Sequence, residues 1–170
     1  MKELSKVLLA FGGNEAGMWG EPADALKRAL ENLDRHGVTL AKVTPQVITR
    51  PLGLAAQPDF VNAVAVGETA LDAEGLLTLI KRLEWMAGRR PGPRWGPRPL
   101  DIDILDFAGQ VAGWDQRHDP MQPAHLVLPH PELHRRAFVL APLAEIAPDW
   151  RHPVLGLSAR EMLAALASGA

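Results

Sequence analysis

The sequence predicts an α+β domain: an antiparallel sheet carrying two helices on one face, continued by a C-terminal helix-rich extension. Two observations predict it. Short apolar runs and helical stripes follow one another in the order β-α-β-β-α-β up to residue 107. Turn residues separate them at short intervals, so neighbouring elements fold back on one another. A chain of 170 residues with 47% hydrophobic content can bury a core without staples, and residues 1–170 read as a single domain.

The elements follow in order. Val7 to Phe11 is an apolar run stopped by Gly12-Gly13-Asn14, the pattern of a buried strand and a turn. Pro22 opens a helix whose apolar positions are Ala25, Leu26, Ala29, Leu30 and Leu33, and Gly37 stops it. Val38 to Thr49 alternates loosely around Pro45, which marks a bulge or an edge strand. Arg50 to Asp59 is a loop. Phe60 to Val66 is a strand with Phe60, Asn62, Val64 and Val66 on one face. Asp72 caps a helix striped by Leu76, Leu77, Ile80 and Leu83, which Gly88 ends. Gly88 to Pro99 is a long Arg/Pro/Gly loop, and Leu100 to Phe107 is a strand. Residues 108–129 are irregular. Arg136 to Ile146 and Ser158 to Ala167 read as helices, the first shortened by Pro142 and Pro148. The β-α-β-β-α-β order is that of a ferredoxin-like sandwich.

Composition excludes several classes. There are no cysteines, so disulfide scaffolds, thiolate metal sites and cysteine nucleophiles are absent. With 18 basic and 20 acidic residues, no global basic field invites nucleic acid. No window is long and apolar enough for a membrane span or signal peptide. The expectation is a cytoplasmic protein with no nucleic-acid or membrane partner.

The chemistry concentrates in residues 88–103. Asp101 and Asp103, two apart on a strand, project to one face with a repeat of about 6.5–7 Å. Carboxylates so placed repel unless a cation joins them or one is protonated. Arg89, Arg90, Arg94 and Arg98 stand immediately upstream. Carboxylates holding Mg²⁺ beside arginines that clamp phosphate oxygens make a phosphoryl-transfer site. Alone, an Asp-x-Asp is more often the wet face of an edge strand; the arginine loop with Trp95 at its middle shifts that balance. Gly12 to Gly17 has P-loop spacing but lacks the Lys-Ser/Thr that must follow. His118, His125, His130 and His134 lie near one another, but the hard oxygens of Asp101 and Asp103 suit Mg²⁺ better than zinc.

The run Arg94-Trp95-Gly96-Pro97-Arg98-Pro99-Leu100-Asp101-Ile102-Asp103-Ile104 resembles the signature of the 6-hydroxymethyl-7,8-dihydropterin pyrophosphokinase family of folate biosynthesis. Ala10 to Asn14, Pro51-Leu52-Gly53, Gln57 to Ala63, Leu128 to Pro131 and Arg136 to Leu143 resemble its other motifs. Together they cover about residues 7 to 150. The resemblance implies transfer of pyrophosphate from ATP to the pterin hydroxymethyl group, with release of AMP. It implies two Mg²⁺ on Asp101 and Asp103, with Arg89 and Arg98 on the transferring phosphates as catalytic residues. ATP would also meet Lys81, Glu84, Arg94, Trp95, His130 and Arg136. For Lys81 and Glu84 a solvated i,i+3 ion pair is an equal alternative. Phe60 and Phe138 would sandwich the pterin, and Asn62 would read its edge. Groups near Thr49, Leu52 and Gly53 would complete that reading, with Trp95 closing over it. The loop from Gly88 to Pro99 would be a lid, with slow release or lid opening limiting turnover. The family also implies a monomer.

Departures are few. Gly13 stands where Ser is common, with little effect expected. Arg50 replaces a frequent Pro, and the arginine loop is about one residue short, which leaves Arg90 without an assigned role. His125 replaces a basic residue, implying pH-sensitive nucleotide affinity. Two other classes compete. A non-catalytic binding paralogue needs a damaged metal pair, and both aspartates are present. A ferredoxin-like RNA-binding module needs a basic surface and an RNP run, and neither is found.

Overall fold

The computed structural model describes residues 2–51, 56–114 and 126–169. Five strands form one antiparallel sheet: β1 (Ser5–Gly13), β2 (Val38–Val43), β3 (Val47–Thr49), β4 (Phe60–Thr69) and β5 (Asp101–Phe107). The order is β2-β4-β1-β5, with β3 also paired to β4. This is the ferredoxin-like arrangement, its second strand divided in two. Pro45 lies between the two pieces, where it interrupts no ladder hydrogen bond, and a register shift between Leu40 and Lys42 bends the edge further. Thr44 bridges the gap: its N–H donates to Val64 O (2.9 Å) and its Oγ1 accepts from Val64 N–H (2.9 Å).

Helix α1 (Pro22–Arg35) starts with Pro at its first turn, where no N–H is needed. It stops at Gly37, whose φ of +84° an L side chain would resist. Helix α2 (Ala73–Met86) starts at Asp72, whose side chain accepts from Gly75 N–H at 2.8 Å. Both lie on one face of the sheet. Their stripes (Leu26, Ala29, Leu33; Leu76, Ile80, Leu83) close on Val7, Leu9 and Phe11 of β1. Each large apolar side chain so buried contributes about 1.5–3 kcal/mol.

The C-terminal part covers the opposite face. Helix α3 (Ala137–Ile146) and helix α4 (Ala159–Ala167) pack through Val139, Leu140, Leu143 and Met162 onto Leu8, Val64, Val66 and Leu105. The sheet is therefore buried on both sides, and β1 reads as a continuous apolar run because its two faces serve two cores. Pro142 does not shorten α3 as expected; it sits inside the helix. The cost is one backbone bond, which packing of the same helix on β4 offsets. The strands also run further than their apolar runs, to Gly13 and Thr69.

Candidate active site

The second face is apolar under α3 and polar at its far end. There Gly12 lies between two partners: Asn62 on β4 and Asp101 on β5. One row deeper, Ala10 lies between Val64 and Asp103. Small residues on the central strand thus leave a floor, and side chains from the flanking strands form its walls. A Cβ at Gly12 would stand 3.1 Å from Asn62 Oδ1 and intrude on this space.

A cavity of about 100 Å³, partly open to solvent, occupies that floor. Thr49, Phe60, Asn62, Trp95 and Phe138 line it together with Arg98, Asp101, Asp103 and Arg136. The structure therefore brings both phenylalanines, the asparagine and both aspartates to one cavity. Asn62 Nδ2 donates to Thr49 Oγ1 at 2.5 Å, so β3 orients the amide. Arg50, noted above only as a departure, also lines this cavity. Leu52, Gly53, His118 and His125 lie outside the described residues.

A second, more open cavity of about 520 Å³ lies beyond the arginine loop, lined among others by Lys81, Glu84, Arg89, Arg94 and Arg98. Arg98 borders both cavities. Between them the carboxylates and cations interlock. Asp101 accepts from Arg89 Nη1 through one oxygen and from Arg98 Nη1 (3.2 Å) through the other. Asp103 Oδ2 accepts from Arg136 Nη1 at 3.3 Å and lies 3.6 Å from His130 Nε2. His130 Nδ1 accepts from Glu132 N–H at 3.1 Å, so the neutral ring carries its proton on Nε2, toward Asp103.

Glu84 is buried, at 2% exposure, and is no solvated partner of Lys81. Its Oε1 accepts from Arg89 Nη1 (2.9 Å) and from Ile102 N–H (2.9 Å); its Oε2 accepts from Lys81 Nζ (3.1 Å). It joins α2 to the start of β5 and holds Arg89 at the boundary between the cavities. Lys81 itself is 58% exposed in its side chain.

The electrostatics separate the two aspartates. Burial raises the pKa of each, but at Asp101 the Arg89 and Arg98 guanidiniums outweigh it and hold the carboxyl below its usual range. At Asp103 burial and the charge of Asp101 outweigh His130 and Arg136, and the pKa rises. An ionised Asp103 is therefore short of positive charge in this arrangement. A divalent cation could supply that deficit, and paired carboxylate oxygens are a donor set that suits Mg²⁺. For His130, burial depresses the pKa against the pull of Asp103.

Two residues of the quoted motifs were given no role by the sequence. Asn14 is buried. Its Nδ2 donates to Gln57 Oε1 (2.8 Å) and Pro58 O (3.0 Å), and its Oδ1 accepts from Arg98 N–H (2.9 Å). Gln57 Nε2 in turn donates to Trp95 O at 2.8 Å. This amide pair ties the end of β1, the segment before β4 and the arginine loop into one rim. Their places in the Gly-Gly-Asn and Gln-Pro motifs were the available signal. Gly13 also belongs to this rim. A Cβ there would stand 2.5 Å from Pro99 O, so serine at this position, expected to be bland, would need Pro99 to move.

Comparison with known proteins adds independent findings. A family model described as 7,8-dihydro-6-hydroxymethylpterin-pyrophosphokinase (HPPK) matches residues 8–148. A Pseudomonas aeruginosa 2-amino-4-hydroxy-6-hydroxymethyldihydropteridine pyrophosphokinase is 40% identical over 95% of this chain and 92% of its own. A Bacillus subtilis protein of the same name is 37% identical over 81% of this chain and 75% of its own. Among solved structures, a Plasmodium falciparum HPPK-DHPS with SDX-DHP shares the fold at TM-score 0.75 and 14% identity. The match covers 99% of this chain and 46% of that longer one.

Proposed function

The chain belongs to the 7,8-dihydro-6-hydroxymethylpterin-pyrophosphokinase family, and from that premise we infer how its residues carry the reaction. It is a pyrophosphokinase acting on hydroxymethyldihydropterin in folate biosynthesis. The observation supporting a specific division of labour is the shared border. Arg98 lines both cavities, and Asp101 is held by Arg89 and Arg98 between them.

The more enclosed cavity takes the pterin. Phe60 and Phe138 offer flat apolar faces to a heteroaromatic ring, and offset stacking against each is worth about 0.5–1.5 kcal/mol beyond burial. Asn62, oriented by Thr49, presents an amide to the ring edge. Trp95 and its loop close the mouth, which keeps water from a reactive phosphoanhydride.

The open cavity takes ATP. Arg89, Arg94 and Arg98 face its phosphates, with Lys81 at the rim; Arg136, on the wall of the other cavity, and His130 would meet the phosphates at Asp103, which both contact. Asp101 and Asp103 would hold Mg²⁺, which when bound neutralises triphosphate charge and lowers the cost of ionising the pterin hydroxyl. Arg89 and Arg98 then stabilise charge on the transferring group where it develops. Glu84 keeps Arg89 aimed across the border. The chain acts as a monomer in the cytoplasm in this reading. Among the described residues, no helix is long and apolar enough to cross a membrane.

The test is AMP release from MgATP with and without the hydroxymethyl pterin, repeated with Arg98→Ala. Pterin-dependent AMP, reduced at least about 100-fold in the variant, is expected. AMP formation indifferent to the pterin would overturn the reading.

A further inference from the structure

Arg90 follows the phosphate-facing Arg89 and, like Trp85, lines the open cavity, though the reading above gives neither a role. Its guanidinium lies over the indole of Trp85, 3.7 Å from the ring centroid. Its Nη1 also donates to Trp85 O (2.9 Å) and to Arg89 O (2.7 Å). Trp85 is 57% exposed, so this ring is not core. It stands on the last turn of α2, one residue after Glu84, with the polar residues Lys81 and Arg82 beside it.

The backbone explains the meeting. After Ala87 the chain reverses at Gly88, whose φ is +107°. Gly88 N–H donates to Trp85 O and Arg89 N–H donates to Glu84 O, both at 3.0 Å. The reversal lays Arg90 back on the helix it has just left. Beyond it come Pro91, Gly92 and Pro93, and among the described residues the next hydrogen bond to the body is Gln57 Nε2 donating to Trp95 O. The stack therefore fixes where the unanchored part of the arginine loop begins. A planar guanidinium suits this better than an ammonium, because it stacks and donates in plane at once.

We propose that the Trp85–Arg90 stack is a positioning latch. It clamps the root of the arginine loop on α2 and so holds Arg89 at Glu84 and Asp101, where the ATP phosphates arrive. The latch rests on the reading of Arg89 as a phosphate-binding residue. Neither Trp85 nor Arg90 touches the reacting atoms. Without the stack, the free segment begins directly after Arg89, whose own ties to Glu84 and Asp101 then carry the loop's motion, and ATP binding must order more chain. The cost falls on nucleotide affinity. The chemical step, taken from the ordered complex, stays as it was.

The experiment uses the full chain as wild type, Trp85→Leu, Arg90→Ala, the double variant and Trp85→Phe. Two readouts are taken: steady-state kinetics in MgATP, and hydrogen exchange of the Gly88–Arg90 amides without ligand. Each single variant is expected to raise KM for MgATP about three- to tenfold, in keeping with a partly exposed cation–π contact, with kcat within twofold. Exchange should quicken by a similar factor. The double variant should be no worse than the singles, since both remove one contact. Trp85→Phe should restore most of the effect. Multiplying effects in the double variant, a fall in kcat at constant KM, or unchanged kinetics and exchange would each overturn the latch. A wild type that forms no pterin-dependent AMP would instead sink the functional reading, while the exchange comparison would still decide the latch.

Discussion

The two ends of β5 hold carboxylates in opposite ways. At its start, Asp101 and Asp103 face arginines and a histidine carried by loops and by the N-terminus of α3. Near its end, Asp106 accepts from the Gly109 backbone N–H at 3.1 Å, with Trp150 beside it, and Lys6 acts on it only through its field. The histidines divide likewise. His130 lies against Asp103, whereas His152 is buried with its ring edge-on to Trp114 (5.0 Å between centroids) and near Trp150 and His134. Where the partners are long side chains on loops, charge can be exchanged for a ligand's. Where they are backbone groups and indoles, polar atoms serve only the fold.

The strongest way to break this contrast is to remove charge at the start of β5. Asp101→Ala with Asp103→Ala should cost at least about 10³-fold in AMP formation, given the several kcal/mol that metal and charge stabilisation supply. Pterin binding, measured by calorimetry, should survive, because Phe60, Asn62 and Phe138 are untouched. Loss of pterin binding as well would place those aspartates in the fold.

Glu84 lies between the two categories and sharpens the comparison. Glu84→Gln keeps its shape but removes the charge that holds Arg89 and Lys81. Turnover should fall about 10- to 100-fold, and urea melts should show a loss of roughly 1–3 kcal/mol. A loss of stability with full activity would make Glu84 purely structural.

At the other end the prediction concerns pH. Burial and neighbouring His134 depress His152 to about 4. Its Nδ1 accepts from Val154 and Leu155 N–H, which a proton there would displace. The unfolded chain takes up that proton near pH 6.5 and the folded chain only near 4. Stability is therefore complete above about pH 6.5 and declines as pH falls toward 4, by roughly 1–3 kcal/mol. His152→Leu should flatten thermal melts over that window. The same slope in the variant would assign it to other groups.

The smallest effect belongs to the rim. Gly13→Ser should lower stability by roughly 1–2 kcal/mol, because Pro99 must yield to the new Cβ. KM for the pterin should rise a few-fold as the Asn14–Gln57–Trp95 tie shifts. A neutral melt would show that Pro99 moves freely.

Much of this was legible from residues alone. Alternation placed Phe60 and Asn62 on one strand face and paired Asp101 with Asp103, because strand geometry is local. The motif resemblance supplied Phe138, His130 and Arg136, which arrive from α3 and the turn before it by contacts no periodicity shows. Other features were hidden because they depend on what meets across the fold. Glu84 became a buried anchor when β5 presented the Ile102 N–H to it. Gly13 gained meaning from Pro99, 86 residues away in the chain. Trp114, within the irregular stretch after β5, gains its meaning only where His134 and His152 close on it. Pro142 inside α3 went against its local preference because the helix is held by packing.

The most direct test measures turnover and melting together for Asp103→Asn and Asp106→Ala. Asp103 is a carboxylate its own surroundings disfavour in charged form, so Asn should leave the melt unchanged or raise it while AMP formation falls at least about 100-fold. Asp106→Ala removes the acceptor for Gly109 and should cost roughly 1–3 kcal/mol while turnover per folded molecule stays within twofold. A crossed pattern of this kind is the expected result. If Asp103→Asn unfolds the protein and spares turnover, or Asp106→Ala abolishes turnover in a folded protein, the division of β5 into a catalytic and a structural end is wrong.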